Sequence, residues 1–218
     1  MTFARVVLAA STNDPVPEPK TIALPPKADA KAIVRFYEAN ILSLYPVFPA
    51  SSLYALVDDL YEEIPHPIKS SEYWLFWMVL AVGSAAQSRS KLDEHYQNAV
   101  EFVARALPHA DRALISGYVT QLQSLLLLTQ YAMLDPAHFD SWHLIGFTCR
   151  AVVDLGLHQD PPNAQQSDKE ALDARRRTFY CVYALDRLAR RAKHPETPAD
   201  FRNSQGNKHG SCPSILLL

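Results

Sequence analysis

The stretch "SSEYWLFWMVLAVGSAAQS", residues 70–88, is the most apolar in the chain. Ser70 or Ser71 is placed to open a helix, and everything from Tyr73 to Val82 is apolar. A membrane span needs roughly 18 or more such residues, and this run falls short of that. What remains is a helix that is apolar nearly all round, which belongs at the centre of a helical core.

Helical spacing continues on both sides of it. Towards the N-terminus, Ser51 or Ser52 caps a helix through about Glu63, stopped by Pro65 and Pro67. Before that, Ile33, Phe36, Tyr37, Ile41 and Leu44 recur every three to four residues from Asp29 to Pro46. Ahead of Asp29, "NDPVPEPKTIALPPK" (13–27) forbids regular helix, so residues 1–28 are assigned to a proline-rich N-terminal linker. Its leading "MTFARVVLAAS" is too short an apolar run for a secretory signal.

Towards the C-terminus, a fourth helix from about Leu92 to Leu107 places Tyr96, Val100, Val103 and Leu107 on one side and ends at Pro108. A fifth, about Arg112 to Leu134, holds "LQSLLLLTQYAML", whose adjacent leucines imply burial on more than one face. Asp135-Pro136 reads as the start of a sixth helix with the stripe Trp142, Ile145, Gly146, Cys149, Val152 and Val153. After the loop "QDPPNAQQ", Ser167-x-x-Glu170 is a reciprocal capping signature for a seventh helix through about Arg191. No stretch alternates with period two. The chain is therefore expected to be all-α: a domain of about seven helices over residues 29–192, followed by an irregular tail, 193–218.

Composition bounds the function. Of the 218 residues 48% are apolar, and the formal charge of −2 supplies no global field to attract nucleic acid or an anionic membrane. Cys149, Cys181 and Cys212 are odd in number, widely spaced and free of any C-x-x-C pattern, which points to a reducing compartment without a cysteine-based zinc site.

Candidate chemistry is sparse. A carboxylate-bridged di-metal bundle needs Glu-x-x-His on two helices and a glutamate on two more. Asp135-x-x-His138, Asp140-x-x-His143 and Glu63-x-x-His66 come closest, but no opposing set matches them. There is no G-x-S-x-G; Ser84 follows a glycine inside the most apolar helix, and Gly146 and Gly156 form no phosphate-cradling loop. No residue is assigned a catalytic, cofactor-binding or metal-ligating role. "DLGLHQD" (154–160) reads as the end of the sixth helix: Gly156 takes the left-handed conformation, and His158 is placed to meet the exposed carbonyls.

The sharpest charge feature is "DARRRTFYCVYALDRLARR" (173–191), with arginines at 175, 176, 177, 187, 190 and 191. Core-type residues, including Phe179, Tyr180, Val182, Tyr183 and Leu185, interrupt them, and Asp173 and Asp186 oppose them. The segment reads as a core helix whose arginines meet carboxylates or helix-end carbonyls, the terminal ones being solvated. The alternative is a partner surface for protein or nucleic acid.

Taken in order, "AIVRFYEANILSLYPVFP" (32–49), "WLFWMVLAVGSAAQ" (74–87), "LQSLLLLTQYAM" (122–133), "SWHLIGFTCRAVVDLGLHQD" (141–160) and "DARRRTFYCVYALDR" (173–187) resemble one family, the fungal-specific transcription factor domain. This is the middle homology, or regulatory, region of fungal zinc-cluster transcription factors. The resemblance runs from about Ala30 to Arg187. Its markers are Trp142, Gly146, Arg150, Leu155 to His158, Arg175 to Arg177, Phe179-Tyr180 and Leu185 to Arg187. Arg150-Ala151-Val152 stands where members usually show Arg-Met-Ala.

The resemblance implies a nuclear, non-enzymatic domain that regulates transcription. It lends zinc and DNA binding, but three scattered cysteines cannot build the family's six-cysteine, two-zinc module. No cofactor is therefore expected in this chain, and DNA contact is expected only through that module. Members continue past Leu-Asp-Arg into more helices, whereas Leu188 leads into the tail, so the domain is expected to be C-terminally truncated: a fragment, a degenerate paralogue or a mis-assembled gene model. The expected partners are proteins, or further copies meeting through exposed helix faces, with a small-molecule effector open and no membrane. If missing helices normally cover the third, fifth and seventh helices, those faces should be left apolar and exposed. The other reading is a stand-alone helical module for protein interaction or small-ligand binding that has lost DNA binding.

Overall fold

A computed structural model of the chain describes residues 1–20, 23–62, 67–161 and 168–193. In chain order the helices are α1 (Phe3–Ser11), α2 (Lys27–Tyr37), α3 (Ala50–Leu60), α4 (Ser70–Gln87), α5 (Glu94–Ala106), α6 (Ala110–Ala113), α7 (Val119–Leu134), α8 (Ser141–Asp154) and α9 (Lys169–Lys193). A π-helical turn, Glu38–Leu42, extends α2, and a 3-10 turn, Leu107–His109, leads into α6. The fold is all-α. Among the described residues, no helix is long and apolar enough to cross a membrane.

The two helices without a polar face form the centre. In α4, Trp74 and every residue from Phe76 to Ser84 are buried; in α7, Ser124 through Ala132 are. They pack on one another, with α5 and α2 against α4, α8 against α7, and α9 outermost on α8. Thr129 and Thr148 each donate to a carbonyl one turn back at 2.7 Å, and their hydroxyls meet at 3.3 Å across the α7–α8 contact. Gly83 marks the closest crossing: a Cβ there would lie 2.7 Å from Ile33 Cγ2 and 3.2 Å from the Ile33 carbonyl oxygen of α2. Tyr37, beside it, is fully buried and donates to Gln130 Oε1 of α7 at 3.1 Å.

Several helix starts follow from local chemistry. Thr2, Asp93 and Asp140 lie in extended backbone and accept from the amides of Arg5, Tyr96 and Trp142. Asp93 also accepts from the amides of Arg89 and Ser90 and from the Ser88 hydroxyl. The Tyr96 amide first, and then these other donors, hold its carboxyl at about 2 against an ordinary 3.8. A carboxyl depressed in the folded state stabilises fully above its ordinary value and loses that contribution as pH falls through the folded value. Wild type should therefore lose helical stability between about pH 4 and pH 2, and Asp93→Asn should flatten that loss. Thermal melts by circular dichroism across this window test the point; equal slopes would contradict it.

Four features of the fold differ from the sequence-based expectation. Residues 3–11, read as linker, form α1, which buries Ala4, Val7 and Ser11. The fifth helix is broken: α6 ends at Ala113, and a turn containing Gly117 at φ 89° precedes α7. The sixth helix starts at Ser141 behind Asp140, because Asp135 closes α7 instead. The α4 and α7 faces expected to stand open are covered, so that exposed large apolar residues on α7 are confined to its ends, Val119 and Leu134. On α9, Tyr180 and Leu188 do stand open. Glu63, His66, Ser167 and the tail from residue 194 lie outside the described residues.

The prolines of the N-terminal segment do not keep it off the body. Asn13 and Asp14 donate their amides to the carbonyls of His138 and Ala137 at 2.9 and 3.1 Å, and Asp140 donates its amide to the Ser11 carbonyl at 2.7 Å. Thr12 and Phe139 form an antiparallel bridge. Further on, the Lys20 amide donates to Glu101, Arg105 donates to the Ala23 carbonyl, and the Tyr61 hydroxyl donates to that of Pro25. The described residues of the segment form a strap laid across α5 and the α7–α8 junction.

Candidate functional site

Two places gather the polar side chains that carried candidate chemistry. The first is the α7–α8 junction under the strap. Asp135 is 2% exposed; its Oδ2 accepts from the Tyr131 hydroxyl at 2.9 Å and pairs with His138 Nδ1 at 2.6 Å. The Tyr96 hydroxyl of α5 reaches the same carboxylate at 3.3 Å. Burial, with Asp135 close by, keeps the Tyr131 hydroxyl protonated well above the ordinary tyrosine range. Asp135 thus ties α5, α7 and the following loop together. Asp140 pairs with His143 at 2.8 Å on the outside while its other oxygen caps α8.

The two acid–histidine pairs that resembled metal half-sites are therefore spent within one junction. Among the described residues, no group of three or more histidine, cysteine, aspartate or glutamate side chains is arranged to hold a metal ion. Ser84 is buried in α4, and its hydroxyl has no hydrogen-bond partner among the described residues. Burial pushes the thiols of Cys149 and Cys181 up to about 11, so neither is a thiolate near neutral pH.

The second place is where α8 stops and α9 begins. Gly156, at φ 64°, donates its amide to the Val153 carbonyl, and Leu157 donates to that of Val152; both bonds are 2.9 Å. This is the paired hydrogen-bond pattern of a left-handed helix stop, and Leu157 is buried behind it. Arg175, rather than His158, meets the exposed end: its guanidinium donates to the Gly156 carbonyl at 2.9 Å, while His158 points to solvent. Arg176 forks onto Asp160 at 2.7 and 3.2 Å, and Arg190 donates to Asp186 at 2.9 Å with its guanidinium over Trp142.

Glycine is required at this stop but not at Gly146 in mid-α8, where a Cβ would meet nothing within 4 Å. Gly156→Ala should destabilise by about 1 kcal/mol, because an L side chain resists the left-handed region. Gly146→Ala should stabilise by up to about 1 kcal/mol through helix propensity. Paired thermal melts check both signs.

The class that this geometry defines is a helical domain whose acids, histidines and arginines brace one element against another, with one face of a long helix left open among the described residues. The chain belongs to the fungal specific transcription factor domain family, whose model matches residues 25–189. It is similar to the pyrimidine pathway regulatory protein 1 of Saccharomyces cerevisiae, 29% identical over 53% of this chain and 12% of that protein. It is also similar to the positive regulator of purine utilization of Emericella nidulans, 29% identical over 48% of this chain and 13% of that protein. The lactose regulatory protein of Kluyveromyces lactis is 27% identical over 82% of this chain and 19% of its own length. The chain thus spans less than a fifth of the length of each of these relatives. No solved structure matches it.

Three markers of the resemblance have structural jobs. Gly156 stops α8, Arg175 takes the Gly156 carbonyl, and Arg176 holds the Asp160 that ends "DLGLHQD". The sequence showed the Asp135-x-x-His138 spacing but not its use as a brace, and it had no signal for Tyr96, which comes from 39 residues away.

Proposed function

We propose that this chain is the regulatory domain of a transcriptional regulator that works in the nucleus through protein contacts and carries no catalytic activity. The observation that carries the reading is the family match over residues 25–189, which spans every element from α2 into α9. The relatives are named as regulators, which supports it. Sequence-directed DNA contact and zinc belong to a six-cysteine module that three dispersed cysteines do not supply. A small-molecule effector would act through the helical body.

The test fuses the full chain to an unrelated DNA-binding module and measures a reporter in fungal nuclei. The expected result is reporter transcription that differs from the module alone, with the unfused chain showing no salt-dependent affinity for duplex DNA. A reporter indifferent to the fusion would overturn the reading.

A further inference from the structure

The arginines of α9 fall into two sets. Arg175, Arg176 and Arg190 are engaged with Gly156, Asp160 and Asp186. Arg177, Arg187 and Arg191 are not paired with any carboxylate among the described residues. Arg177 donates only to the carbonyl of Asp173 in its own helix, and Arg187 lies against the Tyr183 ring and hydroxyl.

These three share one face. α9 buries Thr178, Cys181, Val182, Leu185 and Ala189 towards the body and turns the opposite side to solvent. At helical spacing that side presents Arg177, Tyr180, Ala184, Arg187, Leu188 and Arg191, a stripe about 21 Å long. Tyr180 is 64% exposed and Leu188 45%. Asp173, one turn before Arg177, and Glu170, nearly a turn further back, put two acids at the stripe's N-terminal end, so its positive character is confined to the stretch from Arg177 to Arg191.

We propose that this stripe docks an acidic amphipathic segment of a partner protein, with carboxylates on Arg177, Arg187 and Arg191 and an apolar side chain between Tyr180 and Leu188. Charge complementarity selects the occupant. A guanidinium is weakly hydrated and meets a carboxylate through two parallel donors, so three guanidiniums that have no carboxylate partner among the described residues favour a ladder of Asp or Glu. Phosphates would satisfy the arginines but offer nothing apolar to Tyr180 and Leu188, and the chain's net charge of −2 gives a nucleic acid no wider attraction. A single helix face buries little area, which places the contact among weak, transient ones, with Kd on the order of 10 µM. The inference goes beyond the regulatory reading and stands on α9 alone, so its binding test can fail while the reporter test succeeds, and the reverse.

The probe is a fluorescein-labelled amphipathic peptide with glutamates at helical spacing around leucine and phenylalanine. Fluorescence anisotropy follows its binding to the full chain, with a scrambled peptide of the same composition and a short DNA duplex as controls. Arg177→Glu, Arg187→Glu and Arg191→Glu together should weaken peptide binding at least about tenfold, with the scramble bound more weakly throughout. Tyr180→Ala, which leaves every charge in place, should weaken it about threefold; this keeps the test decisive if the triple variant melts early. The proposal is overturned by no binding, by equal binding of the scramble, by variants that bind as wild type, or by tighter binding of the duplex. Sedimentation showing a dimer of the chain that the same charge reversals abolish would also overturn it, giving the face to a second copy.

Discussion

Replacing Asp135 with alanine should cost about 3 kcal/mol of folding stability, because it leaves buried donors with no acceptor. Tyr131 is 1% exposed and has its hydroxyl 2.9 Å from the carboxylate; His138 sits 2.6 Å away. Each orphaned buried donor is worth about 1–3 kcal/mol, whereas the longer bond from partly buried Tyr96 adds little. Tyr131→Phe removes one donor and leaves the acceptor served by His138, so about 1 kcal/mol is expected there. Urea denaturation of the two variants measures the difference. Equal losses would mean that the carboxylate does not organise the junction.

The second large effect lies at the α2–α4 crossing. Gly83→Val should destabilise by about 3 kcal/mol or more and Gly83→Ala by roughly 1–2 kcal/mol net, despite alanine's advantage of about 1 kcal/mol in a helix. The sign is set by what the new Cβ meets. Ile33 Cγ2, 2.7 Å away, is fixed to a branched Cβ with one preferred rotamer in a helix, and the Ile33 carbonyl at 3.2 Å is backbone. Neither yields as the end of a flexible side chain would. Shortening the neighbour tests the cause: Ile33→Ala should recover part of the loss from Gly83→Ala, a coupling that a double-mutant cycle reads directly.

The core was legible because α4 and α7 carry unbroken apolar runs that no other placement would satisfy. Gly156 was legible for a similar reason, as a glycine at the end of a periodic stripe. α1 escaped because its nine residues are few for a helix and lead straight into the prolines of 13–27, while its anchors, Ala4 and Val7 in the core and Phe3 against Phe147, are tertiary contacts. Asp135 misled because Asp-Pro is locally a helix start, while the structure uses that acid as a tertiary acceptor. Gly117 was readable as a helix breaker, yet the leucines beyond it dominated the pattern. The arginine run divided cleanly: pairing for Arg175, Arg176 and Arg190 follows from the residue types, but which arginines stay open depends on where Gly156 and Asp160 come to rest.

The strap also constrains the order of assembly. Asn13 Nδ2 donates to the Pro136 carbonyl 123 residues away. Making that contact in an otherwise unfolded chain would cost about 4 kcal/mol in loop-closure entropy alone, far more than one surface hydrogen bond returns. Once Tyr61 and Arg105 hold Pro25 and Ala23, the remaining loop is about a dozen residues and the cost falls to roughly 2 kcal/mol. Residues 3–14 are therefore expected to be the last to find their place, with α1 closing over a body that has already folded.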